Sequence, residues 1–331
     1  MIKIANILIL LGFISFLLVL AIIRISLKRS LLNYPNERSL HNVPTPRLGG
    51  LAIIFSWYLG IVIFYYFGFI QANLFYALLC GILLAIVSFI DDLIEIRASI
   101  RLIIHFIVAM AAFYFLGGMR PFINPEIAAD YYYFTYPIVI IGMVWFINLY
   151  NFMDGINGFV SIETITIALF MFFFTLNPVN LLLIAAVVGF FYWNWPNAKI
   201  FMGDVGSTQL GFILVVLGIY FHNTYEFSIV NWIMLSAPFW FDATFTLYRR
   251  WRNHEKLSEA HNKHVYQRLV RAGYTHKQVG QMLITINVVI ILMILFYRYF
   301  RNVPIQLITY FISLCFLYYI TRWVDKKVPF K

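Results

Sequence analysis

The chain has 331 residues, of which 62% are hydrophobic and 11% charged, and its mean hydropathy is +0.83. A soluble domain carries about 25% charged residues, so this composition excludes a water-solvated globular surface. The net charge of +10 fits basic loops facing anionic lipid and anionic substrates, not nucleic acid.

Apolar runs of bilayer-spanning length recur from end to end. The first, MIKIANILILLGFISFLLVLAIIRI, is too long for a signal-peptide core and no small-residue cleavage site follows it, so it reads as a spanning helix. Eleven spans are expected, centred near residues 14, 58, 82, 108, 142, 168, 187, 215, 237, 289 and 313. The fold class is therefore all-α and polytopic, a single domain over 1–331 with no internal repeat. Cys80 and Cys315 sit in separate apolar runs, suit no disulfide or metal spacing, and read as small packing residues.

The connections alternate in character. Those at 25–48, 91–99, 150–158, 196–206 and 247–280, with the C-terminal segment and the adjoining loop charges Arg24 and Arg101, hold 20 of the 24 lysines and arginines. The positive-inside rule makes that side cytoplasmic. With eleven spans the N-terminus is then expected outside and the C-terminus in the cytoplasm. Nearly every unusual polar residue falls on the same side.

Taken in order, the first polar loop contains RSLHNVPTPRLGGL, stiffened by Pro44 and Pro46, with His41 and Arg47 as polar candidates. Next, IVSFIDDLIEI ends an apolar run on Asp91 and Asp92. Adjacent carboxylates at a membrane boundary repel each other. They are either solvated helix-end groups or a base and cation anchor for phosphate chemistry. In NLYNFMDGINGF, Asn148 and Asn151 stand three apart on a helical face, and Asp154-Gly155 and Asn157-Gly158 break the helix. An ordinary turn explains the Asp-Gly and Asn-Gly pairs but not two asparagines still inside the helix. Amide and carboxylate oxygens are the hard ligands that Mg²⁺ prefers.

KIFMGDVGSTQLGF sets Asp204 between two glycines, with a span expected to begin at Ser207 or Thr208. Helix N-termini attract phosphate, and a carboxylate there is either a simple N-cap or a group held by a cation. Phe201 could stack on a nucleobase or anchor at the interface. In the last polar loop, a helix over 261–271 would place His261, His264, Arg268 and Arg271 on one face, suited to phosphate oxygens or to lipid headgroups. Zinc is the weaker reading of the two histidines, since no third ligand or thiol lies near.

These ordered motifs, PTPRLGG, Asp91-Asp92, NxxNxxDGxxG and FMGDVGS, together resemble the polyprenyl-phosphate N-acetylhexosamine-1-phosphate transferases over about residues 35–280. The loop SEAHNKHVYQRLVRAGYTH is similar to the bacterial branch that initiates O-antigen or related surface glycans. It lacks the three adjacent histidines of the branch transferring phospho-N-acetylmuramoyl-pentapeptide. Asn157 departs from the Asp found in many bacterial members.

The resemblance implies a dimeric enzyme of the bacterial cytoplasmic membrane that moves sugar-1-phosphate from a UDP-N-acetylhexosamine to undecaprenyl phosphate. It implies that Asp204 and Asn151 hold Mg²⁺, or Mn²⁺ in its place. It makes Asp91 the base or orienting carboxylate, with Asp92 in support. Phe201 would stack on uracil with Asn157 near its edge, and His261, His264 and Arg268 would lie over the diphosphate and sugar. Asn148 and Asp154 would shape the same pocket. A transporter or a non-catalytic scaffold are the rival classes; a transporter predicts repeated halves and ionisable groups near mid-membrane.

Overall fold

The computed structural model describes residues 2–35, 40, 43–121, 131–257, 259, 261–300 and 302–330; His41 lies outside them. Among these residues the protein is all-α apart from one two-residue ladder, and every expected span centre falls within a helix. Among the described residues seven helices are long and apolar enough to cross a membrane, and three more apolar helices of 17 residues accompany them. The protein is thus a polytopic membrane protein.

At the centre stands α9 (Asp204–Asn223), buried along its whole length from Val205 to His222. Its sequence is apolar all round, which a helix can be only when other helices surround it. The wall around it is built by α2 (Gly50–Tyr66), α4 (Gly81–Leu93), α6 (Tyr131–Phe152) and α7 (Phe159–Thr175), with α10 (Ile229–Leu235) at the far end. Outside these lie α1 (Ile2–Lys28), α3 (Ala72–Leu79), α5 (Ala98–Phe115), α8 (Pro178–Asn194), α13 (His276–Phe300) and α14 (Val303–Lys327). Large apolar side chains such as Phe13, Leu292 and Phe311 face outward from this layer, as lipid-facing surfaces require.

Local signals explain the helix ends on the face opposite the basic loops. The Asn177 side chain accepts from Val179 N–H and Pro178 opens α8; Asn302 accepts from Ile305 N–H and caps α14; Ser228 accepts from Val230 N–H and caps α10. Each is a polar side chain satisfying an amide that a helix start leaves unpaired.

Three expectations are corrected. The span near 237 is two helices, α10 and α11 (Ala237–Arg252), broken at Ser236 because Pro238, in the first turn of α11, cannot donate back into α10. Helix α9 begins at Asp204, three residues before Ser207. The helix expected over 261–271 is only α12 (Val265–Arg271), so His261 and His264 precede it.

The first polar loop is folded back on itself by the ladder of β1 (Leu32–Asn33) with β2 (Thr45–Pro46). It is then bonded to the segment before α9. Phe201 N–H donates to the Pro46 carbonyl at 2.8 Å, Gly49 N–H to the Phe201 carbonyl at 2.9 Å, and Gly50 N–H to the Met202 carbonyl at 2.8 Å. This pairing draws the starts of α2 and α9 together until Gly50 meets Gly206 backbone to backbone, with no room for a Cβ at Gly50. Gly50→Val should therefore destabilise the protein by about 1–3 kcal/mol, as overpacking does. Gly142, beside open space, should accept alanine without loss; the two variants are compared by thermal unfolding in detergent.

Candidate active site

The helix ends on the basic side enclose a cavity of about 450 Å³. Its wall brings together Asp92 from α4, Asn151 from α6, Asp154 and Asn157 from the following turn, Phe201 and Asp204 around the start of α9, and His261 from the loop after α11. Segments more than 160 residues apart in sequence thus converge at one end of the bundle. A larger cavity of about 630 Å³ between α11, α12, α13 and α14 is walled mainly by apolar side chains and includes none of the residues singled out from the sequence.

The start of α9 organises the site. Gly203 has φ +78°, a left-handed conformation that glycine adopts without strain, and no side chain of the local sequence caps the helix. The cap comes from α4 instead. Asp204 N–H donates to Asp92 Oδ1 and Val205 N–H to Asp92 Oδ2, both at 3.0 Å. A carboxylate at a helix N-terminus meets both the free amides and the positive end of the dipole. Asp92 is therefore engaged in holding α9, and both its oxygens are occupied.

Asp91 is not among the described residues that line the cavity, although it stands beside Asp204. Its side chain is 7% exposed, accepts from Ile96 N–H at 2.8 Å and is paired with Arg101. The same Arg101 nitrogen lies 3.3 Å from Asp204 Oδ2, so one guanidinium joins the first and the last acidic positions of the motif set, Asp91 and Asp204. Arg101 entered the sequence reading only as a loop charge. Its place ten residues after Asp91, beyond the helix break, was the available signal.

Asn151 donates to Ser207 Oγ at 3.1 Å and lies within hydrogen-bonding reach of Asp204. Asp154 follows α6 directly. Withdrawal from water, together with the Asp204 and Asp92 carboxylates, pushes its carboxyl well above the usual range. Asn157 donates its side-chain amide to the Pro196 carbonyl at 3.0 Å. The turn carrying these groups is fixed by Asn194, which accepts from Gly158 N–H at 2.6 Å and donates to the Ile200 carbonyl at 2.9 Å. Asn194, Gln267 and His276 also line the cavity and were not anticipated. Asn194, an amide closing an apolar run, carried the same signal as Asn148 and Asn151.

Not all expected residues reach the cavity. Asn148 is half-buried in α6 and bonds His105 Nδ1 at 3.1 Å. His261 lines the wall, and burial next to His264 and the nearby cations Arg250 and Lys263 lowers its pKa to about 4, leaving it neutral at pH 7. His264 is 2% exposed, its ring parallel to that of Tyr266 and its Nδ1 3.6 Å from Asp242. Arg268, also 2% exposed, is turned the other way: it pairs with Asp325 of α14 at 2.7 Å and donates to the Val328 carbonyl.

The expected face of two imidazoles and two guanidiniums is thus not formed. Packing of α12 against α11 and α14 overrides the helical spacing, because Asp242 caps α12 by accepting from Val265 N–H and Asp325 binds both Arg249 and Arg268. Removing one partner of a buried pair leaves the other charge uncompensated. Asp325→Ala should accordingly lower stability by about 3 kcal/mol, measured by thermal unfolding, and Arg268→Ala should do the same before it changes any substrate affinity.

Comparison with known proteins finds relatives of this chain. Residues 74–222, which include α4, α6 and α9, match the family model for glycosyl transferase family 4. The chain is 29% identical over 249 residues to "Probable undecaprenyl-phosphate N-acetylglucosaminyl 1-phosphate transferase" of Bacillus subtilis (strain 168), covering 70% of this chain and 67% of that one. It is 30% identical over 199 residues to a "Phospho-N-acetylmuramoyl-pentapeptide-transferase" of Streptococcus thermophilus, covering 53% and 58%. A Wolbachia pipientis protein of that second description is 25% identical over 213 residues, covering 58% and 64%. The alignments span about two thirds or less of these relatives' lengths. The helices that supply the cavity's carboxylates and amides thus lie mostly within the stretch similar to glycosyl transferase family 4, and the chain is similar to proteins described as sugar-1-phosphate transferases acting with undecaprenyl phosphate.

Proposed function

We propose that this protein transfers an N-acetylhexosamine-1-phosphate, or a 6-deoxy relative, from a UDP-sugar to undecaprenyl phosphate and releases UMP. The product, undecaprenyl-diphosphate-sugar, would begin assembly of a surface polysaccharide such as an O-antigen. The observation that carries the reading is the convergence of Asp92, Asn151, Asp154, Asp204 and Phe201 on one polar cavity at the membrane boundary. The longer alignment to the N-acetylglucosaminyl-1-phosphate relative than to the pentapeptide relatives supports the sugar class. The positive-inside rule favours a cytoplasmic position for this cavity, where nucleotide-sugars are available.

An oxygen of the acceptor phosphate attacks the β-phosphorus of the UDP-sugar. The new P–O bond joins lipid and sugar phosphates, and the bond from the β-phosphorus to the bridging oxygen breaks, so UMP leaves with that oxygen. The acceptor monoester is largely dianionic at neutral pH, its second pKa lying near about 6 by analogy with phosphoserine. No strong base is needed. This suits Asp91, whose carboxylate is occupied by Arg101 and Ile96 N–H and is better placed to orient Arg101 than to accept a proton. Arg101, shared between Asp91 and Asp204, holds the Asp204 carboxylate in place. Phe201 offers a ring to the nucleobase, with Asn157 nearby, and neutral His261 offers hydrogen bonds at the wall.

The donor set fits Mg²⁺. Among the described residues no three acidic, histidine or cysteine groups are close enough to enclose a metal by themselves. Asp204, with the oxygen of Asn151, supplies one carboxylate and one amide, and Mg²⁺ is commonly held by one or two carboxylates plus substrate phosphates and water. When bound there, the ion would neutralise the phosphates that both substrates bring to the cavity.

Three measurements test the reading. Asp204→Asn should lower UMP release by about 100-fold or more, the scale of losing a group that stabilises transition-state charge, while the protein still unfolds cooperatively. Chelation should stop wild-type release and added Mg²⁺ or Mn²⁺ restore it. Asp91→Asn should keep the rate above pH 7 within about tenfold of wild type, the loss expected of an orienting group and not of an obligatory base. A much larger loss that is relieved by raising the pH would return Asp91 to the role of base.

A further inference from the structure

Arg47 is the sole arginine or lysine among the described residues that line the cavity. It is half-buried, and its Nε is sealed from solvent with no hydrogen-bond partner. No hydrogen bond or ion pair from its guanidinium is found among the described residues, although three carboxylates share the same wall. Asp92, a carboxylate close enough to interact with the Arg47 charge, already spends both oxygens on the amides of Asp204 and Val205. Arg47 is therefore not the counter-ion of Asp92 in the sense of a bonded pair.

Its backbone is held firmly in this place. Pro46 on one side accepts from Phe201 N–H, and Gly49 and Gly50 on the other donate to the Phe201 and Met202 carbonyls. Leu48 between them adopts φ +75°, a conformation uncommon for a residue with a side chain. The fold thus accepts local backbone strain beside Arg47 and, among the described residues, leaves its Nε unanswered beside a polar cavity. An unpaired buried donor is costly, and the group that answers a guanidinium fork best is a carboxylate or a phosphate.

We propose that Arg47 binds a phosphate oxygen of substrate and is a specificity-determining contact of this cavity. This rests on the transferase reading, in which two substrates carry that chemistry: the diphosphate of the nucleotide-sugar and the monoester of the polyprenyl acceptor. The position next to Phe201 and at the start of α2 leaves both within the same class of ligand, a phosphate oxyanion, and binding measurements separate them.

The test uses the full chain in detergent micelles with Mg²⁺, as wild type, Arg47→Gln and Arg47→Lys. Equilibrium affinities are measured for UDP-N-acetylglucosamine, uridine and undecaprenyl phosphate. Arg47→Gln should weaken one or both phosphate ligands by about 10- to 100-fold, the loss of hydrogen bonds to a charged group. Uridine affinity should stay within twofold. Arg47→Lys should recover part of the loss, because it keeps the charge without the fork. A loss confined to UDP-N-acetylglucosamine assigns Arg47 to the donor diphosphate, and one confined to the lipid assigns it to the acceptor phosphate.

If both phosphate ligands bind Arg47→Gln within twofold of wild type, the proposal is overturned. It is equally overturned if uridine weakens in parallel, since Arg47 then only shapes the pocket. Should Arg47→Gln fail to fold, Arg47→Lys still decides, with unchanged phosphate affinity and unchanged unfolding midpoint as the overturning result only when Arg47→Ala, too, leaves affinity unchanged. A wild-type protein that binds neither substrate and releases no UMP would instead count against the transferase reading itself.

Discussion

Two hydrogen bonds of 3.0 Å, from the amides of Asp204 and Val205 to one carboxylate on Asp92, determine where everything else in the site stands. They close the N-terminus of the central helix with a side chain from another span. Because α9 is buried to its far end, its position fixes α2, α4 and α6 around it. The acidic groups are thus located by the packing of the whole bundle and not by the flexibility of loops. A charged group at the membrane boundary is expensive to place, and here the helix dipole and two unpaired amides offset that cost. The same arrangement brings Asp204 to the cavity with its carboxylate still partly open, at 37% exposure, and steadied by Arg101.

Much of this was legible in the sequence. Ten of the eleven apolar runs centre within single helices, because hydrophobic length is the main constraint on a spanning helix, and the one near 237 falls at the break between α10 and α11. Asn148 and Asn151 stood out as amides inside an apolar helix, Asp154, Asn157 and Asp204 as polar positions beside glycines, and Phe201 as an aromatic just before Asp204. What the linear pattern could not carry was which oxygen is used by what. Asp91 and Asp92 look equivalent in sequence, yet one caps a helix and the other pairs with an arginine ten residues later. That division is decided by the angle between α4 and α9, and no local rule contains it.

The basic loop shows the opposite failure. Spacings of three and four placed His261, His264, Arg268 and Arg271 on one face, but the helix starts only at Val265. Asp242 and Asp325, from helices far away in sequence, then claim its start and its arginine. Tertiary partners decided the orientation of a short helix whose own propensity could not. Arg250 behaves similarly: it is 2% exposed and donates to the carbonyls of Lys256 and Glu259 and to Glu255. The cations of this loop chiefly build its shape, which leaves His261 as the member that borders the cavity.

The amide of Asn194 ties two cavity walls by using opposite ends of one side chain, oxygen to Gly158 N–H and nitrogen to the Ile200 carbonyl. Aspartate has nearly the same outline, yet it would set a negative oxygen against that carbonyl. Deamidation at this site would therefore change no volume and still force the two walls apart. The protein is in this sense chemically intolerant at a place where it is sterically indifferent.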